Sequence, residues 1–166
     1  MATRMARLVS HCSVAFIVCA MVTGASVRGG VAAELSRTPF SKFDSVACPG
    51  STCSIDFGTV PGGAKRRYEI THVSCGVYIG VENAKIANWY LYASRDGNGE
   101  GTFHLRPHHN GRVTLPVATT YSANEQGFLI ARGGAQLLVR VARDATTAGS
   151  INGLNCTISG YDVRLQ

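Results

Sequence analysis

The sequence predicts an all-β protein: an antiparallel two-sheet sandwich, jelly-roll-like or immunoglobulin-like in general form, behind an N-terminal leader. Three observations carry this. After residue 33 the apolar runs are short, follow a period of two and are separated by Gly, Pro, Asn and Asp turn signals. The same region is rich in Gly, Val, Thr, Ser and Tyr and poor in Lys and Glu, which favours strands. No stretch after Glu34 combines a helical apolar stripe with end caps.

The elements follow in order. Residues 34–47 read as a loose lead-in. Residues 54–60, SIDFGTV, place Ile55, Phe57 and Val60 in a strand that ends at the turn Pro61-Gly62-Gly63. Residues 66–81 set Tyr68, Ile70 and His72 against Glu69, Thr71 and Val73, as one strand or as two broken near Gly76. IANWYLYAS, 86–94, is the next strand, and RDGNGEG joins it as a hairpin to TFHLR, 102–106. PHHNG, 107–111, is expected to turn. RVTLPVATTY, 112–121, is broken by Pro116 and suits an edge strand. Residues 126–131 and 135–143 flank a glycine turn at 132–134 as a second hairpin. A loop over 144–153 leads to a last strand over 154–165. The total is eight or nine strands, enough for one domain with a real core.

Residues 1–33 have the layout of a signal peptide. MATRMAR supplies Arg4 and Arg7, residues 8–22 are mostly apolar, and small residues lead to GVAA before Glu34. The apolar run is short for a membrane span, which takes about 20 residues, and no later segment could span a bilayer. The expected address is therefore periplasmic or secreted, with residues 34–166 as the working domain. The full chain has a formal net charge of +6. Arg4, Arg7 and Arg28 fall in the leader, so the domain keeps 13 basic and 10 acidic residues, a net charge of +3. That is a weak case for nucleic acid, which calls for clustered cations. The single cluster, Lys65-Arg66-Arg67, reads as a solvated strand start.

Four cysteines follow the leader: Cys48, Cys53, Cys75 and Cys156. An even number in a small exported chain implies two disulfides, with three possible pairings. Cys48–Cys53 brackets the turn-forming Pro49-Gly50-Ser51-Thr52, which favours that pair and leaves Cys75–Cys156. Zinc would call for short paired ligand spacings, which this chain lacks.

The strings GTVPGGAKRRYEITHVSC and GLNCTISGYDVRLQ resemble segments of small exported proteobacterial β-sandwich proteins without assigned function, a loose group from soil and plant-associated bacteria. The resemblance covers about a third of the domain. It implies the fold and the exported address, and no activity or catalytic residue.

Three sets of residues are candidates for function. His104, His108 and His109 fall within six positions. Adjacent histidines diverge and no acid lies in this stretch to orient either ring, so loop histidines are expected and not a zinc site. Asp96, Asn98 and Glu100 imitate the start of a calcium loop, but Pro107 stands where its closing glutamate belongs; turn geometry is the simpler reading and calcium the possible cofactor. Trp89 is expected in the core. That leaves Tyr90 and Tyr92 facing outward as a stacking surface for a glycan, joined by Tyr121 from a neighbouring loop. For catalysis the chain has no Gly-x-Ser-x-Gly elbow, phosphate loop or His-Glu-x-x-His pair.

The expected function is therefore a non-enzymatic exported protein that binds a glycan or an envelope protein. The alternatives are a small secreted hydrolase using Asp96, Glu100 and His104, or a structural envelope protein that self-associates through an edge strand.

Overall fold

The computed structural model describes residues 34–114, 117–146 and 149–166. The expected signal peptide, 1–33, lies outside them. Nine strands follow one another: β1 (Glu34–Gly50), β2 (Thr52–Thr59), β3 (Arg66–Ile79), β4 (Ile86–Arg95), β5 (Asn98–His104), β6 (His108–Thr114), β7 (Val117–Arg132), β8 (Gln136–Arg143) and β9 (Ile151–Leu165). A single 3-10 turn, Gly63–Lys65, precedes β3. Every pairing is antiparallel. One sheet runs β1-β9-β3-β7-β6 and the other β2-β8-β4-β5.

That order selects the jelly roll from the two forms the sequence left open. β1 pairs with β9, β2 with β8, β3 with β7 and β4 with β5. The chain is thus one long hairpin rolled up so that its pairs alternate between two sheets. β6 is an addition on the outer side of β7.

Alternation along each strand fills the space between the sheets. Ile55 and Phe57 of β2, Trp89, Leu91 and Ala93 of β4, and Leu137, Val139 and Val141 of β8 face Ile70, Val73 and Val77 of β3 and Leu154 and Ile158 of β9. Trp89 is 2% exposed, as expected of a core residue. Both disulfides join this core. Cys75 and Cys156 are direct cross-strand partners of β3 and β9, with Cα atoms 4.1 Å apart. Cys48–Cys53 closes the turn from β1 to β2.

Several boundaries differ from those the sequence predicts, each for a physical reason. Residues 34–47 are not a lead-in. They form most of β1, a 17-residue edge strand registered on β9 over nearly its whole length. Of the two readings left open for residues 66–81, the single strand holds, ending at Ile79: Gly76 does not break it, because it leaves room for the Asn155 side chain of β9. PHHNG is not a turn. The chain crosses between sheets at Leu105-Arg106-Pro107, where Leu105 N–H still bonds Trp89 C=O at 2.9 Å. His108 and His109 then start β6, and the Asn110-Gly111 signal becomes a bulge between His109 and Gly111. Residues 112–114 belong to β6 and 117–121 to β7, Pro116 lies outside the described residues, and β7 continues through the stretch expected as a separate strand. A bulge between Ile70 and His72, opposite Gln126 and Leu129, lets so long a strand follow the twist of β3.

Candidate functional site

β4 presents its even positions to the outside of the four-stranded sheet. Tyr90 and Tyr92 are half-buried there, their ring centroids 5.6 Å apart and their planes tilted by 52°. Register adds their neighbours. Tyr90 stands opposite His104 on β5 and Arg140 on β8, and Arg140 opposite Ser54 on β2. Tyr92 stands opposite Thr102 and Leu138, and Leu138 opposite Asp56. The His104 ring meets Tyr90 edge-on with centroids 6.2 Å apart. At about 4.8 Å per strand, the two rows cover roughly 14 Å of sheet. Asp56 is fixed at one end: its carboxylate accepts from Gly58 N–H at 2.8 Å and Gln136 Nε2 at 2.7 Å.

This ledge can stack and hydrogen-bond. Flat aromatic faces suit the C–H faces of sugar rings, and Ser54, Asp56, Thr102, His104 and Arg140 offer hydrogen-bond partners for hydroxyls. Sequence reasoning found the tyrosines from their position beside a buried Trp. It missed Arg140, Leu138, Ser54 and Asp56, because their place depends on register between strands distant in sequence.

Tyr121 does not join the ledge. It belongs to β7 in the other sheet, donates its hydroxyl to Ala84 C=O at 2.5 Å and packs its ring against His109 at 5.2 Å. Burial raises the phenol above its ordinary pKa. The loop expected around it is strand.

The three histidines separate. His104 stays on the tyrosine ledge, and successive His108 and His109 take opposite faces of β6, His109 beside Tyr121. The calcium-like trio is divided as well. Asp96 and Gly97 form the two-residue hairpin turn with φ of 53° and 78°, and Asn98 is already the first residue of β5, paired with Arg95. Glu100 turns away from them: Oε1 lies 3.3 Å from Arg95 Nε, and Oε2 accepts from Arg132 N–H at 3.0 Å. Among the described residues no group of three or more His, Cys, Asp or Glu is placed to hold a metal ion. Glu100 is the extra residue of a bulge in β5 and bonds Arg95 and Arg132, whereas His104 sits against Tyr90, so Asp96, Glu100 and His104 do not come together.

No protein-family model matches the chain, and no curated protein matches it. The arrangement of its own residues is therefore the ground for any functional reading. Among the described residues no helix is long and apolar enough to cross a membrane.

Proposed function

We propose that this is an exported, non-enzymatic binding protein of the cell envelope, and that it binds an extended glycan on the outer face of the four-stranded sheet. The observation behind this reading is the pair Tyr90 and Tyr92, joined by His104 into one aromatic surface with polar groups on both flanks. The surface is open along the strands, which suits a chain of sugars better than a single enclosed one. The two disulfides fit an oxidising address, as does the leader read from the sequence.

The test is binding to a panel of soluble and insoluble polysaccharides. Tyr90→Ala and Tyr92→Ala are each expected to weaken binding about tenfold or more, since fully covering a large apolar side chain contributes about 1.5–3 kcal/mol. Tyr121→Phe keeps the half-buried ring and should bind normally. Retained binding in both alanine variants would remove the glycan reading.

A second reading rests on a different observation. Phe43 is 69% exposed on β1, whose other edge has no strand partner among the described residues. Such an edge can pair with a second copy and make the protein a self-associating envelope component. Sedimentation of wild type and Phe43→Lys distinguishes the two readings: a monomer in both rejects self-association.

A further inference from the structure

At the opposite end of β3 from the β1–β2 turn, several arginines crowd one depression of about 410 Å³. Arg66 and Arg67 of β3, Arg95 of β4 and Arg132 of β7 line it, with Ile130 and Leu165 as apolar walls. Register places two like-charged pairs directly across the ladder: Arg67 opposite Arg132, and Arg66 opposite Arg164. Directly opposed like charges destabilise a sheet. Local acids offset most of this. Asp162 takes two hydrogen bonds from Arg66, Glu69 is shared by Arg37 and Arg67, and Glu100 pairs with Arg95. Arg132 is left over. Its side chain is exposed beside Arg67, and it makes no ion pair among the described residues.

We propose that this cleft binds a dianionic phosphate group, either free or carried on a small sugar-sized body. Three carboxylates hold Arg66, Arg67 and Arg95 in place, so little side-chain entropy is lost when a ligand enters. A guanidinium presents paired N–H donors that match phosphate oxygens, and Arg132 has its donors free for that purpose. A phosphate between Arg132 and Arg67 replaces the repulsion of this cross-strand pair with two attractions. The volume lies in the usual range for small-ligand sites, about 300–1,000 Å³, so it accepts more than the phosphate itself. The site is built from β3, β4 and β7 ends and does not depend on the tyrosine ledge.

Calorimetric titration of the purified protein, both disulfides intact and in low-salt buffer, tests this with three probes: inorganic phosphate, glucose 6-phosphate and glucose. Both phosphates are expected to bind and glucose is not, and the tighter of the two identifies the free or the sugar-borne source. Arg132→Gln should weaken phosphate binding about tenfold or more. Without phosphate, its melting temperature should equal or exceed that of wild type, because the like-charge pair is gone. Arg106→Gln, on the β5–β6 crossover, should bind as wild type. Wild type that binds neither phosphate, Arg132→Gln that binds them unchanged, or Arg106→Gln that loses as much as Arg132→Gln overturns the proposal.

Discussion

Glu69 is the residue on which the outer face of the five-stranded sheet turns. It is 5% exposed, yet it lies on the side of β3 away from the core, covered by the arginines it binds. Arg37 reaches it from β1 at 2.8 Å and Arg67 from β3 at 2.6 Å, and the Arg37 guanidinium also sits 4.1 Å over the Tyr161 ring. Removing the acid leaves two cations facing each other without a counter-charge. Glu69→Gln should therefore cost about 2–3 kcal/mol in a urea titration, near the lower end for breaking a covered ion pair because both arginines reach solvent. Asp162 gives a pH signature at the same scale. Its hydrogen bonds from Arg66 hold the carboxyl below the ordinary carboxylate range, aided by the charges of Arg66 and Arg164. A depressed folded-state pKa contributes stability above the unfolded value, about 3.9, and that stability is lost as pH falls through the folded value. Asp162→Asn should therefore melt below wild type at neutral pH, and the gap should close as the solution is acidified below about pH 4. A gap independent of pH would place the effect in packing and not in the ion pair.

Most elements were legible from alternation, and the two failures at sheet edges, β1 and β6, share one cause. β4 and β8 are central strands with one covered face, so their inner residues read directly: Trp89, Leu91, Ala93, and Leu137, Val139, Val141. β1 is an edge strand that only partly overlies β2. Its inner positions include Lys42, whose ammonium bonds Phe57 C=O at 3.0 Å, and its outer positions include exposed Phe43. The pattern is blurred because neither face is fully dry, and the strand is held by its ladder to β9. β6 failed for a similar reason: its histidines and Asn-Gly are turn residues by composition, but an edge tolerates them as a bulge. The tyrosine ledge was half legible and the arginine cleft hardly so. Lys65-Arg66-Arg67 was visible as a string, whereas Arg95 and Arg132 reach it only through folding. Where local sequence and fold agree, a single substitution should show it. The Asp96-Gly97 turn has both residues at positive φ, the mirror-image turn that suits the twist of a two-residue hairpin. Gly97→Ala should cost about 1 kcal/mol, read from the shift of the urea midpoint. Gly160 is a harsher position: a Cβ there would lie 1.9 Å from the Glu69 carbonyl oxygen of the neighbouring strand. Gly160→Ala should lose more than Gly97→Ala, and the reverse order would mean that β3 and β9 separate at this point at little cost.

The rolled hairpin gives the two disulfides unequal roles. Strands that pair early in the roll, such as β4 with β5, are close in sequence, whereas β3 and β9 are brought together only after five intervening strands have been placed. Cys75–Cys156 spans that gap, 81 residues, at the centre of the five-stranded sheet. Cys48–Cys53 spans 5 residues at a turn whose Pro49 and Ser51 are exposed. In the chain-entropy view, the long closure restricts the unfolded chain by about 4.5 kcal/mol and the short one by about 2 kcal/mol. Against a net stability of roughly 5–15 kcal/mol, losing the first leaves little in reserve. All four cysteines are buried, Cys48 and Cys53 at 7% and 3% exposed and Cys75 and Cys156 at 4% and 1%, so access differs by what must open: one turn for the short bridge, the central strands for the long one. Under native conditions a reductant should therefore release two thiols from Cys48 and Cys53 well before the second pair. The double variant Cys48→Ala/Cys53→Ala should stay folded with a modest loss, and Cys75→Ala/Cys156→Ala should unfold at far lower urea. Alkylation with mass mapping reads the order of release. Simultaneous release of all four thiols, or equal urea midpoints for the two double variants, would show that the β3–β9 junction is not what limits unfolding.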